Sequence, residues 1–64
     1  MESKFIVRLE DWDEIIIICN SLLFYDGIYY FISDEHGIVD QYPADKVRMI
    51  TEIVVRYNRA ARDT

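Results

Sequence analysis

The sequence predicts an α+β domain, a small curved antiparallel β-meander of four to five strands followed by one C-terminal α-helix. Three observations predict it. Asp26-Gly27 stands between two runs rich in apolar and aromatic residues, the strongest short-range sign of a β-hairpin. Further β-branched and aromatic runs bounded by turn residues fill most of the chain before Pro43. Beyond Pro43, Val47, Ile50, Val54, Tyr57 and Ala61 recur at three and four positions, the period of one helix face.

The first strand, about 4–9, alternates Phe5, Val7 and Leu9 against Ile6 and Arg8. An acidic connection, Glu10-Asp11-Trp12-Asp13-Glu14, holds the only tryptophan. The second strand, about 14–19, carries Ile15 to Ile18 and Cys19 and is apolar on both sides. Asn20-Ser21 interrupts it as a turn or bulge, and strands at about 22–25 and 28–33 flank the Asp26-Gly27 turn. Ser33 to Gly37 reverses the chain again, with Gly37 supplying a left-handed residue, and a strand at about 38–42 follows. Pro43 suits the first position of a helix at about 44–61. Asp45 then lies in its first turn, Arg56, Arg59 and Arg62 lie near its end, and Ile53 and Ala60 widen the stripe. The β-branched Thr51, Ile53, Val54 and Val55 oppose that reading and permit a strand over 51–57.

The pairing implied by the hairpin puts Leu23, Tyr25, Ile28, Tyr30 and Ile32 on one face and Leu22, Phe24, Tyr29 and Phe31 on the other. Both faces are apolar. One helix covers only one of them, so the N-terminal strands must curl over the second, as in an SH3-like or partly open barrel, or a partner must cover it.

Composition sharpens this expectation. The 64 residues suit a single domain, 1–64, with twelve acidic and seven basic side chains and a formal charge of −5. A chain of this size buries only about 60% of its extended surface, yet 52% of its residues are apolar or aromatic. The surplus predicts exposed apolar surface and self-association. No apolar run reaches the ~18 residues a membrane span needs, and the N-terminus does not read as a signal peptide. The lone Cys19 offers neither an internal disulfide nor a metal pair, which fits a reducing, cytoplasmic setting.

No motif names a reaction. A Cys19–His36 nucleophile and base pair would put an activated thiol at the end of an isoleucine run, where inert buried thiols sit. Asp34, Glu35, His36 and Asp40 are suitable cation ligands by type, but neighbours on a turn point apart. The carboxylate pairs lack the pocket that acid–base catalysis requires. The expectation is therefore a non-enzymatic protein with no cofactor, no catalytic residue and no metal site.

Charge is segregated along the chain. Residues 1–45 hold ten acids and two bases, and residues 46–64 hold five bases and two acids. Five tyrosines add large, stiff contact area with polar tips. The expected partner-binding residues are therefore the acidic Asp11, Asp13, Glu14, Asp34 and Glu35 with the aromatic Trp12, Tyr25, Tyr29 and Phe31. A homodimer is expected through Phe24, Tyr29, Phe31, Val54 and Tyr57. The function expected is that of a small acidic protein-binding module, an accessory or inhibitor protein of phage or mobile-element type. It would dock on a basic surface of a larger host protein or nucleic-acid-processing complex, in one form as a nucleic-acid mimic. The alternatives are a purely structural, self-assembling homo-oligomer, and a minor nucleic-acid-binding protein using the basic C-terminal helix. Direct nucleic-acid binding is disfavoured by the negative field, and no membrane partner is expected.

Overall fold

A computed structural model describes residues 2–54. These form six strands: β1 (Ser3–Leu9), β2 (Glu14–Cys19), β3 (Ser21–Tyr25), β4 (Ile28–Ser33), β5 (Gly37–Pro43) and β6 (Val47–Val54). A single 3-10 turn, Ala44–Lys46, separates β5 from β6. All pairing is antiparallel, in two three-stranded sheets ordered β2-β1-β6 and β3-β4-β5.

Local chemistry accounts for the reversals. Between β1 and β2, Trp12 takes φ 71°, Asp11 Oδ1 accepts the Asp13 N–H, and the Leu9 N–H donates to the Asp13 carbonyl. Between β3 and β4, Asp26 and Gly27 take φ 51° and 77°, the two left-handed residues of a two-residue turn, with Tyr25 opposite Ile28. Between β4 and β5, Ser33 Oγ accepts the amides of Glu35 and His36, and Gly37 takes φ 75°. Asn20 joins the two sheets. Its N–H donates to the Ile32 carbonyl, which carries the ladder across the junction, and its Oδ1 accepts the Asp34 N–H at 2.7 Å.

The α+β expectation is overturned. The chain is all-β over the described residues, and no C-terminal α-helix forms there: residues 44–46 make the 3-10 turn and Val47–Val54 is a strand. Three physical reasons combine. Pro43 occupies the cap position with φ −60° and ψ 140° and supplies no side-chain hydrogen bond, so the helix start is uncapped. Val47, Ile50, Thr51, Ile53 and Val54 are β-branched, so five of the eight residues of β6 disfavour a helix. Finally, β1 presents a second edge, and β6 satisfies it from Ser3 opposite Val54 to Leu9 opposite Val47, with a bulge at Arg8/Leu9. Tertiary pairing outweighs a helical period that the same residues also fit. The remainder of the expected helix, 55–61, lies outside the described residues, as does Tyr57.

The core lies between the inner faces of the two sheets. Phe5, Val7, Ile17, Cys19 and Phe31 are buried, with Leu9, Ile15, Leu22, Tyr29, Tyr42, Val47 and Ile50 packed around them. Phe5 from β1 meets Phe31 from β4 edge to face at 5.5 Å, and Phe31 meets Tyr42 from β5 at 6.3 Å. The inner side of the central ribbon is thus the one bearing Leu22, Tyr29 and Phe31, and the N-terminal strands cover it.

Candidate functional site

The β1–β2 loop and the Asp26-Gly27 hairpin are fastened to the two ends of the 3-10 turn. The Ala44 N–H donates to the Gly27 carbonyl, and the Glu10 N–H donates to the Lys46 carbonyl. Tyr25, 68% exposed, therefore stands at the same end of the molecule as Trp12, 64% exposed. The Arg48 guanidinium lies over the Trp12 ring at 4.2 Å, a cation–π contact that steadies the indole while leaving it in solvent. Glu10 Oε1 accepts from Lys46 Nζ at 3.1 Å, a hydrogen bond that raises the lysine pKa above its ordinary value. Glu14 pairs with Arg8 at 2.7 Å. Beside the loop runs an open cleft of about 310 Å³, lined by Leu9, Glu10, Asp11, Tyr42 and Lys46. The Tyr42 hydroxyl donates to Asp40 at 3.2 Å, and burial, reinforced by the Asp40 carboxylate, pushes its pKa up.

The sequence-predicted partner residues do not form one surface. Asp11, Trp12, Asp13, Glu14 and Tyr25 gather at this end. Asp34 and Glu35 lie at the opposite end of β2, where the Asp34 amide is held by Asn20. The six residues of β2 span about 17 Å. Tyr29 is half-buried and packs on the exposed Phe24 with ring centroids 5.0 Å apart. Phe31 is fully buried, so its assignment to a partner or dimer surface is corrected: it is the ring that joins the two sheets. Val54 is 41% exposed at the end of β6, on the inner face with Glu52 and Ser3.

Arg48, Lys46, Leu9 and Tyr42 belong to this end of the molecule and were not among the sequence-predicted residues. The alternation of β1 and the aromatic at the end of β5 are visible locally, but the Trp12–Arg48 and Glu10–Lys46 contacts join residues 36 apart. Only the strand pairing of β6 brings them together.

Apolar side chains outside the core are numerous. On the outer side of the first sheet, Ile16 and Ile18 of β2 and Met49 and Ile53 of β6 are exposed, flanking Lys4, Ile6 and Arg8 of β1. On the outer side of the second, Leu23, Tyr25 and Ile38 are exposed. The expected surplus is on the surface, spread over both sheets.

Cys19 is buried, its thiol donates to the Ser21 carbonyl at 3.4 Å, and burial raises its pKa, the reverse of nucleophile activation. His36 is exposed beside Glu35 at 3.9 Å. Among the described residues no group of three or more His, Cys, Asp or Glu side chains converges on a point that a metal could occupy, and no helix is long and apolar enough to cross a membrane. No protein-family model, no curated protein and no solved structure matches the chain.

Proposed function

We propose that the protein is a non-enzymatic binding module of the cytoplasm that docks on a protein partner through the Trp12 end. The observation that carries this reading is the exposed indole, held at φ 71° under the Arg48 guanidinium and bordered by Glu10, Asp11, Asp13 and Glu14. A large aromatic side chain kept in solvent costs hydrophobic free energy, and a fixed ring loses little entropy when it enters a partner's pocket. With Glu10 and Glu14 paired to Lys46 and Arg8, the carboxylates of Asp11 and Asp13 favour a partner whose surface is basic and disfavour acidic ones. Tyr25, at the same end, extends the aromatic contact. Nothing in this reading requires the thiol, the histidine or a cofactor.

The test is a capture experiment from the native host with immobilised full-length protein, compared with Trp12→Ala and with Asp11→Lys/Asp13→Lys. Circular dichroism checks that each variant keeps its fold. A specific partner retained by the wild type and lost with both variants is the expected result. A partner retained equally by all three sinks the assignment of the Trp12 end.

A further inference from the structure

We infer that β6 is a self-pairing edge: two copies of the chain join β6 to β6 antiparallel about a two-fold axis at Ile50. The inference does not rest on the docking role of Trp12, although Arg48, which lies over the Trp12 ring, takes part in both.

Hydrogen-bond parity fixes which backbone groups of β6 face β1. The Leu9 N–H donates toward β2, to Asp13, and the Glu10 N–H donates toward β6, to Lys46. Antiparallel ladders alternate, so Lys4, Ile6 and Arg8 also turn their amides toward β6, where they face Ile53, Thr51 and Met49. The intervening residues Ile50, Glu52 and Val54 therefore point their N–H and C=O groups away from β1. No strand among the described residues pairs with β6 on that side. At eight residues β6 is the longest strand among the described residues, it carries no Pro, and five of its side chains are β-branched. Such an edge is a template for strand addition.

Charge selects both the occupant and the register. A two-fold axis perpendicular to the sheet keeps inner faces with inner faces, and only registers that pair Ile50, Glu52 and Val54 among themselves use the backbone groups that face away from β1, Arg48 being the bulged residue with no partner on β1. Centring on Glu52 sets two carboxylates directly opposite each other. Centring on Thr51 sets Ile50 against Glu52. Centring on Ile50 sets Ile50 against its own copy and Arg48 against Glu52 twice, one cation and one carboxylate at each end of the ladder. Both side chains are exposed, and opposite charges directly across strands are stabilising where like charges are not. The Ile50 pair would exchange about two backbone hydrogen bonds, and the Arg48–Glu52 pairs on either side of it would be joined through their side chains. Each copy is then self-complementary, as an isologous interface demands.

The experiment is sedimentation equilibrium of the full chain at pH 7 over micromolar to millimolar concentration, on wild type, Arg48→Glu, Glu52→Arg and the double swap. Each protein's fold is checked by circular dichroism. The wild type is expected to dimerise, each single reversal to raise the dimer Kd by about tenfold or more through two like-charge pairs, and the double swap to return it to within about threefold of wild type. Loss of Arg48 from the Trp12 ring, or of Glu52 from the Ser3 hydroxyl, would not be repaired by the swap, so rescue reports the pairing itself. A wild-type monomer throughout, a dimer indifferent to both reversals, or a double swap no better than the singles overturns the inference.

Discussion

Leucine at positions 5 and 31, singly and together, measures how firmly the two sheets are closed on each other. Phe5 and Phe31 are buried, on β1 and β4 of different sheets, with ring centroids 5.5 Å apart and planes at 69°. At about 0.05–0.15 kcal/mol per residue, a domain of this size has only ~3–10 kcal/mol of stability in total. Truncating either ring to alanine costs ~3–5 kcal/mol and would leave little folded protein to measure. Leucine keeps the apolar body and removes the edge-to-face contact, which is worth about 0.5–1.5 kcal/mol beyond area. The Phe31–Tyr42 contact is lost in both Phe31→Leu and the double variant, so it cancels in the cycle. Urea unfolding followed by far-ultraviolet circular dichroism, with a slope of about 1 kcal/mol per molar, resolves a coupling of that size as a midpoint difference of roughly 1 M. The expected result is a double variant less destabilised than the sum of the singles. Additivity within ~0.3 kcal/mol would mean that the rings do not touch and that the packing of the sheets described above is wrong.

Four further outcomes follow from the geometry. Gly27→Ala adds a methyl group that meets no atom within 4 Å, so its cost is the left-handed backbone alone, ~1–2 kcal/mol in urea unfolding. Asp26→Asn, which suits the same turn better, should stabilise slightly. The buried thiol of Cys19 and the hydroxyl of Tyr42 both have raised pKa values, so the folded state holds these protons longer than the unfolded state does. That contribution is complete below the unfolded pKa of each group and is lost as pH rises through the folded value. Stability should therefore decline from about pH 9 upward, and Cys19→Ala should delay the onset, read as urea midpoints between pH 7 and 11. Arg48→Ala should cost about 0.5–1 kcal/mol and change the Trp12 emission spectrum; an unchanged spectrum would show that the guanidinium does not sit on the indole.

How much of this was legible in the sequence depends on the range of the interaction. The reversals at Asp26-Gly27 and Ser33–Gly37 are encoded within a few residues, by left-handed positions and a hydroxyl that accepts nearby amides. The alternation of Phe5, Val7 and Leu9 likewise identifies β1 and its inner face. β6 was legible only as the alternative strand over 51–57, because Ile50 and Val54 lie four apart, satisfying a helix face, and also two steps of two apart, satisfying a strand face. What separates the alternatives is the unfilled edge of β1, some forty residues away. The split of the acidic residues was equally hidden, since it depends on Asn20 bonding the Asp34 amide at the far end of β2.

That split bears on how a partner is recognised. The two acidic groups lie about 17 Å apart along β2, roughly twice the ~8 Å over which exposed charges act at physiological ionic strength. Between them the outer face carries Ile16, Ile18 and the cation Lys4, and Arg8 already neutralises Glu14. A continuous row of phosphate-like charges is therefore not what this surface presents; a short acidic rim around an aromatic anchor is. If binding runs through that rim, reversing Asp34 and Glu35 should leave affinity for the captured partner within about twofold, because their field is screened at the Trp12 end. Reversing Asp11 and Asp13 should weaken it by about tenfold or more, chiefly through slower association, and the penalty should shrink as salt is raised. Equal losses from both pairs, measured by titration at fixed ionic strength, would mean that the partner spans the whole length of β2 and reads both ends together.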